Sequence, residues 1–177
     1  MACYSTRDLT GSPVYERTPK KEHRIGKVHS AIFHPNERKV IGFTIKRPDV
    51  ALMFHRSEKA MPVDAFEVQG KNLVVDEKNL MSGKALAKRF NVNWDECLMW
   101  QGMPLLTEEG ERCGYVGEVI FSTEDGSVKT LSIDKGGTHN VLIGRTSISA
   151  DEVKGFKLGV GEKLNSVSED DFLQGAI

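Results

Sequence analysis

The sequence predicts a mainly β protein built from two copies of one strand unit, joined by a short helical linker. Three observations carry that reading. Blocks of sequence recur at matched spacing, the apolar residues inside them alternate with period two, and the segments between them are rich in turn-forming residues.

The recurrence opens with GSPVYERTPKKEHRIGKV, Gly11 to Val28, echoed by GMPLLTEEGERCGYVGEV, Gly102 to Val119. Gly102, Pro104, Gly117 and Val119 stand 91 residues after Gly11, Pro13, Gly26 and Val28. Proline removes a ladder donor, so Pro13 and Pro104 belong at the start or edge of a strand. Gly26 and Gly117 each precede an X-Val pair and suggest a bulge or close backbone approach where a strand bends hard. Short, strongly bent strands suit a small barrel.

Downstream, a three-residue gap around Ala31 aligns Phe33 with Phe121, Val40 with Val128 and Ile45 with Ile133. LMFHR (Leu52 to Arg56) then faces VLIGR (Val141 to Arg145), and Val63 to Glu77 faces Ile148 to Glu162 with 7 of 15 positions identical. In RKVIGFTIK, Ile41, Phe43 and Ile45 alternate with Val40, Gly42 and Thr44, and SVKTLSI repeats the period. HPNER and TEDGS supply the turns, with Asp125-Gly126 a strong hairpin signal. Between the copies, Ser82 is placed to cap a helix of two to three turns on which Ala85, Leu86 and Phe90 lie near one another, expected to pack across both halves. The resulting organisation is a first unit over 1–77, a helical linker over 78–94, a second unit over 95–162 and an acidic, frayed end over 163–177.

At 177 residues, with 39% hydrophobic and 28% charged residues, the chain has the composition of a soluble globular protein. No apolar run approaches the roughly 18 residues of a membrane span, and the N-terminus lacks a secretory signal, so a cytoplasmic address is expected. Cys3, Cys97 and Cys113 are odd in number and form no C-x-x-C, which reads as reduced thiols. Net charge is -1, but residues 1–59 hold 12 Lys/Arg against 6 Asp/Glu and residues 92–177 hold 7 against 15. Such asymmetry suits either two halves that attract each other or a basic face for nucleic acid or an acidic protein. No aromatic residue interleaves KKEHR as a stacking surface requires, which favours the first alternative.

The signatures G-x-S-x-G, H-E-x-x-H and G-x-x-x-x-G-K-[ST] are missing, so no catalytic residue, cofactor or metal is assigned. On a regular strand His29 and His34 project to opposite faces and do not chelate together. TEEGE, in a turn-rich loop, reads as a solvated face. DVALMFHR, Asp49 to Arg56, reads as a buried strand. Its alternative role is an exposed anchor of Leu52, Met53 and Phe54, rimmed by Arg47, Arg56 and Lys59, for a protein partner or a second copy of the chain.

Four motifs together, LTGSPV (Leu9 to Val14), IGKV (Ile25 to Val28), VIGF (Val40 to Phe43) and PVDAFEV (Pro62 to Val68), closely resemble the PRC-barrel family. The resemblance covers about residues 4–77 and, as a second copy, 95–162. The second copy departs from it, with MPLL for SPVY, VKTL for VIGF and Ser147 in place of Pro62. The resemblance implies a small, highly curved antiparallel barrel in each half. The family includes the cytoplasmic domain of the reaction-centre H subunit and the C-terminal domain of a ribosome maturation factor, and its members act mainly as protein-binding modules. No shared catalytic residues carry over, so Gly11, Pro13, Gly26, Val28, Gly102, Pro104, Gly117 and Val119 take structural roles. The expected function is a non-catalytic adaptor with a protein partner, with homodimerisation as one form of it. The alternative is a ribosome- or RNA-associated factor with Lys20, Lys21, Arg24 and Lys27 on phosphates, and a ligand held in a cleft between the halves is a third reading.

Overall fold

The computed structural model describes residues 2–48, 58–97, 102, 104–106, 111–136 and 146–152. The elements are β1 (Cys3–Ser5), α1 (Thr6–Leu9), β2 (Pro13–Arg17), β3 (Glu22–Phe33), β4 (Val40–Lys46), β5 (Lys59–Pro62), β6 (Phe66–Gln69) and β7 (Asn72–Asp76). They continue with α2 (Gly83–Arg89), β8 (Pro104–Leu106), β9 (Arg112–Ser122), β10 (Val128–Asp134) and β11 (Thr146–Ser149). One sheet has the order β5-β4-β3-β2-β7-β6; the other runs β1-β9-β10-β11, with β8 also on β9. Among the described residues neither ladder closes on itself, and β2 pairs β7 in parallel. The mainly β, curled architecture is as expected, and the parallel β2-β7 pair makes the first sheet mixed where an antiparallel one was expected.

The two long hairpins, β3-β4 and β9-β10, carry the same irregularities in the same places. In the first, Val28 pairs Ile45, Ser30 pairs Thr44, Ile32 pairs Gly42 and Phe33 pairs Val40. In the second, Val116 pairs Ile133, Val119 pairs Leu131, Ile120 pairs Thr130 and Phe121 pairs Val128. Each has one extra residue on the outgoing strand and one on the returning strand, where Ile41 and Lys129 are the bulged positions. Bulges sharpen twist, so matched bulges give the sheets matched curvature.

This register corrects the sequence alignment. Gly26 corresponds to Gly114 and Val28 to Val116, three residues short of the expected Gly117 and Val119. The sequence CGYVGEV offers G-x-V twice, and the pairing of Val116 with Ile133 and Tyr115 with Asp134 selects the first. A Cβ on Gly26 would strike the carbonyl oxygen of Lys46; one on Gly114 would stand 2.9 Å from that of Asp134, the counterpart of Lys46. The length difference therefore falls in the loop before the strand and not around Ala31. Farther on, Ile148 pairs Leu131 as Met61 pairs Phe43, two residues from the expected match of Ile148 with Val63.

The halves meet at the turns of these hairpins. Val40 N–H donates to Gly126 O at 2.8 Å, Val128 N–H donates to Arg38 O at 2.9 Å, and Lys39 bridges Ser127. Each bond is the counterpart of the other, so the turns approach about a local twofold. Beneath this junction lies one hydrophobic core drawn from both sheets. At its centre the Phe43 ring stands 5.8 Å from Phe66, edge-on, and 5.6 Å from Phe121. The N-terminal strand interlocks the halves further: β1 pairs β9, and the Thr6 hydroxyl accepts the Val119 N–H at 3.1 Å.

Helix α2 has its expected cap, with Ser82 Oγ accepting from Ala85 N–H at 3.2 Å. Among the described residues it packs on the outer face of the first sheet, where Ile32, Ile41, Ala60 and Leu86 form a second buried cluster with Met81, Phe90, Val92 and Trp94 around it. Ala85 is exposed and Ala87 buried, a one-step rotation from the expected face. The reason the helix does not span both halves is chemical. The bulge turns Ile41 outward, and Gly42 leaves room for Leu86, whose Cδ2 would lie 2.8 Å from an added Cβ. Their counterparts in the second sheet are Lys129 and Thr130, so that face offers no apolar seat.

Candidate interaction surfaces

Because residues paired across strands share a face, the ladders define what each sheet presents outward. On the first sheet Pro13 pairs Lys27, Lys27 pairs Lys46, and Tyr15 pairs Arg24. Val14 and Glu16 alternate to the buried side. Arg24, Lys27 and Lys46 are exposed and Tyr15 is half-buried, so the outer face groups an aromatic ring with three cations. Lys20 and Lys21, also exposed, stand at the β2-β3 turn, which Thr18 closes by donating its hydroxyl to Lys21 O at 2.8 Å. Among the described residues none of these five cations has an ion-pair partner.

The remaining predicted residues fall elsewhere. Lys59 is turned inward, its Nζ 3.5 Å from the buried Glu16 carboxylate, which His23 Nε2 also meets at 3.1 Å. Arg47 is half-buried, and its Nε is buried without a hydrogen-bond partner. Leu52, Met53, Phe54 and Arg56 lie outside the described residues, as does most of the TEEGE loop. Gly11 and Gly102 donate their N–H groups to Val28 O and Val116 O, which places them at equivalent points just before β2 and β8.

The second sheet offers different chemistry on the equivalent face. Tyr115, the counterpart of Lys27, pairs both Pro104 and Asp134. It is the large hydrophobic residue most open to solvent among the described ones, at 38%. Arg112 lies across it, with Cζ 5.2 Å from the ring centroid and Nη1 donating to the phenol oxygen at 2.7 Å. Arg7, Gly102, Gly117, Asp134 and Gly136 line the shallow groove beside it. Sequence reasoning missed Tyr115 because the alignment had set Gly117, not Gly114, opposite Gly26.

Other polar groups have structural partners. Arg17 holds Glu67 through two bonds of 3.2 and 3.0 Å and Glu22 through one of 2.8 Å, tying β2, β3 and β6 together. That guanidinium keeps the Glu67 carboxyl below its ordinary range. Burial, reinforced by Glu96, pushes the Cys97 thiol up, which keeps it protonated and disfavours nucleophilic use. Asp125 is held low by the Ser127 N–H and hydroxyl, which fix the second hairpin turn. Among the described residues no group of three His, Cys, Asp or Glu side chains is arranged for a metal, and no helix is long and apolar enough to cross a membrane.

Between the halves Arg38 meets Asp151 at 3.4 Å, beside the shared core and the backbone bonds at Lys39 and Ser127. No curated protein matches this chain. Residues 100–165, which contain β8 to β11 and the Tyr115 face, match the family model of the PRC-barrel domain.

Proposed function

We propose that this chain is a non-catalytic protein-interaction module made of two PRC-barrel-like units, residues 1–77 and 95–162, acting in the cytoplasm. The shared bulges of β3-β4 and β9-β10 support the repeat. The observation that carries the function is the exposed Tyr115 under Arg112 on the matched domain. Tyrosine and arginine are the residues most enriched at the energetic centres of protein interfaces, because a flat ring and a planar fork bury area at low entropic cost. Asp134 beside the ring adds a carboxylate for orientation. The test is affinity capture of the tagged full chain from its native cell, compared with Tyr115→Ala and Arg112→Ala. A protein recovered by the wild type and lost from both variants is expected; the same proteins recovered from all three would refute the site.

A further inference from the structure

We infer that the outer face of the first sheet is a binding site for single-stranded nucleic acid, with Tyr15 as the stacking platform and Lys20, Lys21, Arg24, Lys27 and Lys46 along the phosphates. This site lies apart from the Tyr115 face and does not depend on it.

Sequence reasoning disfavoured nucleic acid because no aromatic residue interleaves KKEHR. The fold supplies one from the neighbouring strand. Tyr15 pairs Arg24 directly, on the face that Lys27 and Lys46 share. A ring beside a guanidinium and flanked by ammonium groups is the combination that binds bases by stacking and phosphates by charge, without reading sequence.

The cations are also arranged at a cost. Lys27 and Lys46 are directly opposed in an antiparallel pair, their Cα atoms about 4.5–5.5 Å apart, where like charges destabilise a sheet. No carboxylate among the described residues pairs with either one. Glu22, the acidic residue nearest along β3, is held by Arg17. The corresponding positions of the second sheet carry Tyr115 and Asp134, so the strand pair itself does not require two lysines. An external polyanion resolves the repulsion. Tyr15 lies over its other cross-strand neighbour, the buried Val74, which holds the ring in place beside five cations, and it is the joining of stacking surface with positive charge that fits a nucleic-acid strand.

The site makes quantitative demands. Five cations on phosphates of a single strand give a slope of log K against log salt of about -3.5, which weakens binding about 100-fold between 50 and 200 mM salt. Lys27→Gln with Lys46→Gln brings the slope to about -2. Tyr15→Leu keeps the slope and weakens binding at every salt by about 5- to 100-fold.

Fluorescence anisotropy of the full-length chain with a labelled 12-nucleotide oligouridylate reads all three quantities, with circular dichroism melts confirming that each variant folds. Lys129→Gln, at an exposed position of the second sheet, serves as a variant expected to bind as the wild type does. The proposal is overturned if the oligonucleotide does not bind at 50 mM salt, or if Tyr15→Leu binds like the wild type. It is also overturned if an oligoglutamate of the same length binds more tightly than the RNA and loses affinity in the lysine variants, since the face then belongs to an acidic protein.

Discussion

Truncating Phe121 tests whether the halves stabilise each other. Phe121 sits on β9 of the second sheet, is fully buried, and lies 5.6 Å from Phe43 of the first. Phe121→Ala removes a ring from the shared core, a change that costs about 3–5 kcal/mol. With a urea dependence of about 2 kcal/mol per molar, the unfolding midpoint falls by about 2 M. The chain has two tryptophans, so in a Trp100→Phe background the fluorescence reports Trp94 alone, packed at α2 on the first sheet. One core requires the Trp94 signal and far-ultraviolet circular dichroism to shift together, although the substitution lies in the other half. A cycle with Phe43→Ala then returns a coupling of about 0.5–1.5 kcal/mol. A Trp94 transition that stays in place while the dichroism splits into two steps would refute the reasoning.

Other perturbations probe particular joints. Gly126 has φ +76, and an added Cβ would strike the carbonyl oxygen of Val40, whereas Gly70 has φ +63 and open space around it. Gly70→Ala is expected to cost about 1 kcal/mol from conformation alone, and Gly126→Ala substantially more, as measured by urea denaturation. Ser82→Ala removes the cap of α2 for about 1 kcal/mol, while Leu86→Ala costs about 2–5 kcal/mol because Leu86 is fully buried against the first sheet. Asp125 has a folded pKa below its unfolded value of about 3.9, so its stabilising contribution is present above that value and lost as pH falls through the folded pKa. Melting temperatures measured from pH 5 to pH 2 should therefore fall more steeply for the wild type than for Asp125→Asn; parallel curves would remove Asp125 from the turn's energetics.

Much of this architecture is legible in the residues. Period-two alternation places β4 and β10, Asp125-Gly126 places a turn, Ser82 starts a helix where it stands, and recurrence at fixed spacing announces two related hairpins. What escapes is whatever depends on the partner strand. Two consecutive G-x-V triplets are indistinguishable in sequence, and only the register of β9 on β10 selects Gly114 over Gly117. The seat of α2 is written in VIGF against VKTL, yet its meaning emerges only once a bulge turns Ile41 outward. The surfaces follow the same rule. Tyr15 is nine residues from Arg24 in sequence and becomes its cross-strand neighbour only through the hairpin. Local pattern thus specified elements, while pairing created faces. Lys59 follows the same rule, since its Nζ reaches the buried carboxylate of Glu16, 43 residues away in sequence, only through the curl of the sheet.

The central claim, that two strand units form one fold because they share one core, is tested most directly by residues 1–91 alone. Without the second half, Phe43, Val40 and Ile45 lose their covering, and β1 loses β9, against which it pairs. A half of this size buries too little apolar surface to stand by itself. Sedimentation and thermal melting are expected to find this fragment unfolded, aggregated or dimeric. A monomer with a sharp, cooperative transition would contradict the account.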